Sequence, residues 1–345
     1  MTYNSILETI GRTPLIRLNK ITQGLAPTVY VKVEGFNPGQ SAKDRIALHM
    51  IEEAERSGRL KPGATIIEAT SGNTGFSLAM IAAIKGYKCV LTVTSKISKE
   101  KKDSLEAMGA EVIVCPKEAK ADDPRSYYRT AERKAREIKN SLYVNQNFNT
   151  QNARAHYLST GPEIWDQTKG KVTCLIASAG TGGTLSGTAQ YLKEMNPDVS
   201  IIGVDAYGSA LKKYHETGEY DEREIYSYLI EGTGKNIIPA NCTFELINRF
   251  VKITDKDAAL RARELALLEG ILAGYSSGGC IQAFLQIADE FNKDDVVVII
   301  LPDHGSKYLG KVFNDAWMRE QGFLDDVYAE EHDPMPMPSA PIIEY

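Results

Sequence analysis

Val29-Tyr30-Val31-Lys32-Val33-Glu34, followed by Asn37-Pro38-Gly39-Gln40-Ser41-Ala42-Lys43-Asp44-Arg45, decides how this chain is read. The first run is largely apolar and β-branched, the pattern of a buried strand. Pro38 and Gly39 turn the chain. Ser41 can cap a helix whose apolar residues Ile46, Ala47, Met50, Ile51 and Ala54 recur at helical spacing until Gly58. The result is a strand–turn–helix unit with Lys43 in the first helical turn. The helix macrodipole is positive there and disfavours an ammonium. That handicaps a structural lysine and favours one that must be a neutral amine attacking a carbonyl. The ordinary alternative is an exposed surface lysine.

The same rhythm repeats outward from this unit. Strands are predicted at 65–69, 89–94, 111–115, 142–144, 172–177, 201–205 and 296–301. Helices are predicted to end at Gly86, at Gly109 and near Lys139, then to centre on 155–167, to run up to Asn196-Pro197, and to span 256–270 and 278–291. Apolar strands alternating with helices predict an α/β fold with buried parallel strands and helices on both faces. Ligands are then expected at the carboxyl ends of the strands. Residues 207–250 are less regular and are expected to supply loops around the site. Asp325 to Tyr345 is acidic and holds Pro334, Pro336, Pro338 and Pro341, which predicts an extended or disordered tail.

Bulk properties narrow the function. The chain has 345 residues, enough for two lobes, and a net charge of -5 without a long basic run, which argues against nucleic acid or an anionic membrane as partner. No signal peptide is read at Met1 to Ser5, and the run 296–301 is far too short to span a bilayer. Cys89, Cys115, Cys174, Cys242 and Cys280 are scattered without CxxC spacing, and the five histidines show no metal-ligand pairing. Cys89, Cys115 and Cys174 sit in or beside apolar strand-like runs and are expected to be buried thiols in a reducing cytoplasm, and no dedicated metal site is expected.

Several loops carry candidate chemistry. Thr70-Ser71-Gly72-Asn73-Thr74-Gly75 offers neutral hydrogen-bonding groups at a strand's carboxyl end, a set suited to a carboxylate or, through Asn73, to a phenolate-like oxygen; helix capping is the simpler use. Gly180-Thr181-Gly182-Gly183-Thr184 can cradle a phosphate on backbone N–H groups, or be a tight structural turn. It matches neither a Walker loop nor a dinucleotide fingerprint. Gly274-Tyr275-Ser276-Ser277-Gly278-Gly279 joins two helices, and a serine between glycines can be a cap and nothing more. Asp303 and His304 suggest acid–base work or, with more weight, a supporting role.

These motifs, in this order and spacing, resemble the fold-type II pyridoxal-phosphate enzymes of the cysteine synthase/cystathionine β-synthase family. The resemblance covers roughly residues 3–323, and Ile10-Gly11-Arg12-Thr13-Pro14-Leu15 is similar to the family's opening. It implies that Lys43 holds pyridoxal 5'-phosphate covalently and later moves the Cα proton. It further implies that Gly180, Thr181, Gly182, Gly183 and Thr184 bind the cofactor phosphate, that Asn73 meets the ring hydroxyl and that Ser276 faces the pyridine nitrogen. Thr70, Ser71, Gly72 and Thr74 would bind the substrate carboxylate. Gly203-Val204-Asp205, Glu231-Gly232-Thr233-Gly234 and Pro302 to Met318 lean toward the cystathionine β-synthase branch. Glu231, beside Gly232, would hold the amino group of a second amino-acid substrate. Asn147 and Phe148 stand where the family has Gln before an aromatic; the shorter Asn147 departs from that pattern, and Gln146 can substitute. Gln40, Ala42 and Thr233 depart as well.

The implied architecture has two lobes, each with a mostly parallel sheet flanked by helices: a large one of 1–44 and 146–322, a smaller mobile one of 45–145, and the tail 323–345. The implied reaction is β-replacement on serine or an activated serine by a thiol, most simply homocysteine. Cysteine synthesis from O-acetylserine and sulfide, and sulfide release from cysteine, are the alternatives. A catalytically silent binding or scaffold subunit is the alternative from another class. Small amino-acid and thiol substrates and a homodimer are expected, and no haem.

Overall fold

Two sheets organise the chain. The computed structural model describes residues 2–70, 72–120 and 122–325; the expected carboxylate ligand Ser71 and the tail beyond Asp325 lie outside the described residues. The first sheet is six-stranded, in the order β1 (Leu15–Arg17), β2 (Thr28–Val33), β10 (Val296–Leu301), β7 (Cys174–Ser178), β8 (Ser200–Ala206), β9 (Arg249–Ile253). Its neighbours are parallel except the edge strand β1, which runs antiparallel to β2. The second sheet is four-stranded and parallel, in the order β5 (Ala110–Cys115), β4 (Lys88–Thr94), β3 (Thr65–Ala69), β6 (Ser141–Tyr143).

Both sheets are covered on both faces, which is why their strands read as continuous apolar runs. Along β7 successive side chains point to opposite sides. Ile176 packs toward α9 (Asp255–Glu269) and α10 (Tyr275–Gln286) with Ala262 and Phe284, whereas Leu175 packs toward α7 (Gly183–Met195) with Leu185 and Leu192. In the smaller sheet Ile66 and Leu91 meet α1 (Lys43–Arg56) and α2 (Asn73–Lys85), and Ile67 and Val90 meet Ala131 of α4 (Tyr127–Glu137).

Three expectations need correction. The helix centred on 155–167 is two helices, α5 (Gln151–Leu158) and α6 (Thr160–Gln167), broken at Ser159 with φ -131° and ψ -67°. Pro162 lacks the N–H that would bond Leu158, and its ring crowds that carbonyl. Ser276 is not in a loop: Gly274 is the N-cap and Ser276 sits in the first turn of α10. The strands β1 and β9 had no signal strong enough to read, because each is short and half-buried or mixed in pattern.

The helix α1 starts immediately after the 40–42 segment, which is pinned to the exit of β10. Ala42 N–H donates to Pro302 O (2.8 Å), His304 N–H donates to Gln40 O (3.1 Å), and Ser41 forms an isolated bridge with Asp303. From there α1 buries Ile46 and Met50 in the core of the smaller sheet. Lys43 therefore stands at the seam between the sheets, where the carboxyl ends of β2, β3, β7 and β10 open.

Candidate active site

The segment carrying Lys43 is held by charged groups buried beneath it. Gly39 N–H and Ser77 Oγ donate to the two Asp44 oxygens, each at 2.5 Å, and a Cβ on Gly39 would lie 2.2 Å from Asp44 Oδ1. Arg45 lies between Glu34 and Glu163, its Nε donating to Glu34 Oε2 (2.7 Å) and its Nη1 to Glu163 Oε1 (2.6 Å). Burial alone would raise the Glu34 carboxyl, but Arg45, with smaller help from Lys32 and Thr13, brings it down to about 2.

No described residue accepts a hydrogen bond from Lys43 Nζ; its backbone N–H donates to Ser41 Oγ (3.2 Å). Burial lowers its pKa, against a smaller pull upward from Asp303 and Glu34. The position in the first turn of α1 acts in the same direction as burial. The amine is thus desolvated and unpartnered, as a nucleophile and base require.

The loop after β3 brings Thr70, Gly72, Asn73 and Thr74 to the same seam. Gly72 is the N-cap of α2, so Asn73 and Thr74 lie in its first turn. Thr70 Oγ1 accepts from Gly72 N–H (3.3 Å), and Thr74 Oγ1 donates to Gln146 Oε1 (2.7 Å). Gln146 thereby reaches the loop after β3. Asn147 is buried with Oδ1 unpartnered, and Phe148 is exposed. Asn73 Nδ2 donates to Asp303 Oδ2 (2.7 Å), and its Oδ1 accepts from Lys307 Nζ (2.6 Å). The Tyr308 hydroxyl donates to the same Asp303 oxygen (2.7 Å).

The loop after β7 packs as a cradle that side chains would fill. A Cβ would come within 2.6 Å of Gly232 O at Gly180, 2.6 Å of Cys242 Cβ at Gly182, and 2.0 Å of Asn152 Oδ1 at Gly183; Gly182 also has φ +85°. Thr181 Oγ1 accepts from Asn152 Nδ2 (3.0 Å), and Thr184 Oγ1 lies 3.1 Å from His156 Nε2. Burial depresses His156 to about 3, so the imidazole beside the cradle is neutral. Gly183 and Thr184 begin α7, whose first-turn N–H groups form an anion site. Ser276 is buried, and its hydroxyl has no partner among the described residues.

Glu231 meets two lysines. Its carboxylate is engaged by Lys101 Nζ (2.9 Å), from α3 (Lys99–Ala107), and by Lys311. Burial would raise its pKa, but the two lysines lower it. Gly232 has φ +84°, and a Cβ there would be in ordinary contact with Ser276 Oγ at 3.6 Å. Asp303, Lys307, Gln146, Asn152 and His156 complete the site; only the charged residues near Pro302 and the neighbour of Asn147 carried a sequence signal for it.

An unpartnered amine, a neutral buried hydroxyl, an oriented amide and a glycine cradle at a helix start fit pyridoxal phosphate group by group: carbonyl, ring nitrogen, ring hydroxyl and phosphate. Among the described residues there is no cluster of His, Cys, Asp and Glu suited to a metal ion, and no helix is long and apolar enough to cross a membrane.

Residues 6–303 match the family described as pyridoxal-phosphate dependent enzyme. Cystathionine beta-synthase from Oryctolagus cuniculus is 45% identical over 323 residues, covering 93% of this chain and 58% of the rabbit protein. The chain thus spans less than two thirds of that relative's length. Cysteine synthase from Staphylococcus aureus is 40% identical over 310 residues, covering 89% of this chain and 95% of the relative. A crystal structure of a hydrogen sulfide-producing enzyme from Fusobacterium nucleatum superposes with a TM-score of 0.81 at 37% identity, covering 89% of this chain and 98% of that one.

Proposed function

The chain belongs to the pyridoxal-phosphate dependent enzyme family, and on that premise we propose that it catalyses β-replacement on L-serine or an activated serine by a thiol, most simply homocysteine to give cystathionine. The observation that carries this is the Lys43 amine, desolvated and without an acceptor among the described residues, at the seam where the carboxylate loop and the glycine cradle converge. Bound there, pyridoxal phosphate supplies an electron sink for a carbanion at the substrate Cα.

The residues divide the remaining work. Gly180 to Thr184 hold the phosphate on backbone N–H groups, with neutral His156 beside Thr184. Asn73, fixed by Asp303 and Lys307, donates to the ring hydroxyl. Ser276 would face the ring nitrogen as a neutral partner and would not enforce its protonation. Thr70, Ser71, Gly72 and Thr74 take the substrate carboxylate, with Thr74 oriented by Gln146. Lys43 Nζ removes the Cα proton.

The lobes 1–44 with 146–322 and 45–145 are part of this proposal. Closure of the smaller lobe would exclude water from the reacting atoms. We also propose a homodimer in a reducing cytoplasm; the five unpaired, buried cysteines support the compartment.

Sulfide release from cysteine is a second reading, supported by the likeness to the hydrogen sulfide-producing enzyme and by the pairing of the Glu231 carboxylate with two lysines. The test presents L-serine, O-acetylserine or cysteine, each with homocysteine or sulfide, and identifies the products. Cystathionine from serine is the expected outcome. O-acetylserine with sulfide as far the best pair would overturn it. A visible absorption band present in the wild type and lost in Lys43→Ala tests the cofactor attachment, and a colourless wild type would refute it.

A further inference from the structure

Glu68 is a buried acid to which the chemistry above gives no task. It lies on β3, two residues before Thr70. Its oxygens accept from two peptide N–H groups: Oε1 from Ala69 (2.8 Å) and Oε2 from Gln146 (3.1 Å). The second bond begins where the sheet ladder stops. β3 pairs with β6 as far as Tyr143, and Val144 N–H donates to Ile67 O (3.0 Å). Asn145 then enters the left-handed region at φ +54°, a conformation that costs a residue with a Cβ and persists only where the surroundings hold it. The Glu68 carboxylate takes the N–H that follows this bend, which the ladder no longer serves.

The bend carries Gln146, whose peptide is held on both sides. Its N–H goes to Glu68, and its carbonyl accepts from Asn152 Nδ2 of α5 (2.9 Å) and from Asn241 Nδ2 (3.0 Å). From that fixed peptide the side chain reaches α2, where Oε1 accepts from Thr74 Oγ1 (2.7 Å). A chain of hydrogen bonds thus runs from the Glu68 carboxylate through Gln146 to Thr74.

We propose that Glu68 is a positioning residue for the substrate carboxylate: by holding the Gln146 peptide it sets the place from which Gln146 orients Thr74. This rests on the β-replacement reading, in which the loop after β3 takes that carboxylate. An ionised acid suits the task, because it accepts both N–H groups, whereas a glutamine would set its own NH2 against one of them. Burial pushes the Glu68 carboxyl up to about 7, against the peptide N–H groups of Gln146, Ala69 and Asn145. The other titratable groups around it are Cys89 of β4, Tyr127 and Tyr128 of α4, Tyr143 of β6 and Lys235. Burial raises the thiol and the phenols, which stay protonated through neutral pH; it lowers Lys235 to about 8. As pH falls through about 7, Glu68 gains a proton, its hold on Gln146 weakens, and affinity for the substrate carboxylate falls.

The test titrates the holoenzyme with L-serine between pH 6 and pH 8, following the absorption of the bound cofactor, in wild type, Glu68→Gln, Gln146→Met and the double variant. At pH 8 Glu68→Gln should raise the half-saturating concentration roughly tenfold, as loss of a charge-assisted hydrogen bond implies, with cofactor retention on dialysis unchanged. The ratio of variant to wild type, in which the titration of serine itself cancels, should shrink toward one at pH 6. In the Gln146→Met background Glu68→Gln should change nothing further. A ratio of one at pH 8, a ratio independent of pH, an undiminished effect in the Gln146→Met background, or a matching loss of cofactor retention each overturns the assignment. If Glu68→Gln does not fold, the ratio of Gln146→Met to wild type decides: it should shrink toward one at pH 6, and a constant ratio overturns the assignment. A wild type that responds to none of L-serine, O-acetylserine and cysteine overturns the β-replacement reading itself, and this inference with it.

Discussion

The side-chain amide of Asn73, at the start of α2, donates to the Asp303 carboxylate over 2.7 Å, joining the loop after β3 to the loop after β10. Lys307 Nζ closes the arrangement by donating to the Asn73 oxygen at 2.6 Å. With its oxygen claimed by a cation and one N–H claimed by a carboxylate, the amide has a single remaining N–H. Its direction is set by residues 230 or more positions away in the chain.

Lys307→Met should therefore loosen cofactor binding without unfolding the protein. Loss of one charge-assisted contact predicts roughly a tenfold rise in the cofactor dissociation constant. Dialysis of the holoenzyme, followed by the visible band, measures it. Lys307→Arg should retain most of the affinity. Cofactor retention equal to wild type in Lys307→Met would show that Asn73 orients itself.

A single methyl group should reproduce this effect from the opposite side. A Cβ at Gly274 would lie 1.8 Å from Asp303 Oδ1 and 2.7 Å from the Tyr308 ring, whereas nothing lies within 4 Å of a Cβ at Gly310. Overpacking of this kind costs about 1–3 kcal/mol. Gly274→Ala should lower the midpoint of urea unfolding and release cofactor, while Gly310→Ala should do neither. Equal behaviour of the two variants would contradict the packing argument.

Glu231→Gln should affect all thiols alike. Glu231 ties Lys101 of α3 to Lys311, so its loss frees α3 rather than removing a substrate contact. These pairs are partly exposed, so the effect should be modest and weaken at high salt. Amide exchange in 99–107 should quicken, and the efficiencies with sulfide and homocysteine should fall by similar factors. Selective loss of homocysteine use would restore the amino-group receptor role.

Two buried glutamates shape the pH dependence of stability in opposite directions. Glu34 is held at about 2, below its ordinary 4.5, chiefly through Arg45 acting against burial. Its stabilisation is complete above pH 4.5 and is lost as pH falls toward 2. Glu68 is raised by burial to about 7, so stability declines as pH rises from its ordinary 4.5 through about 7. Glu34→Gln should destabilise the protein at pH 7 by about 3–5 kcal/mol, by leaving Arg45 less well paired, and should flatten the acid limb. Glu68→Gln should flatten the decline toward neutral pH. Urea unfolding across the pH range distinguishes the two.

Local chemistry was legible where each segment carries its own signal. Gly86 ends α2 in the left-handed conformation, Ser98 and Ser126 cap α3 and α4, and the strand interiors are β-branched. The break at Ser159 was missed because the apolar periodicity continues across it while Pro162 interrupts the hydrogen bonding. Gln146 was set second to Asn147 because residue order alone does not say which side chain a bend turns inward.

The amino-acid sequence by itself determined the alternating strands and helices, the lysine at a helix start, and the glycine cradle. Each depends on spacing and backbone preference over a few neighbouring residues. Only the tertiary structure decided which charges meet: Asp303 and Lys307 on Asn73, two lysines on Glu231, and none of the described acceptors on Lys43. Electrostatic interaction depends on distance and burial in space, and those are set by how two sheets pack across a seam rather than by order along the chain.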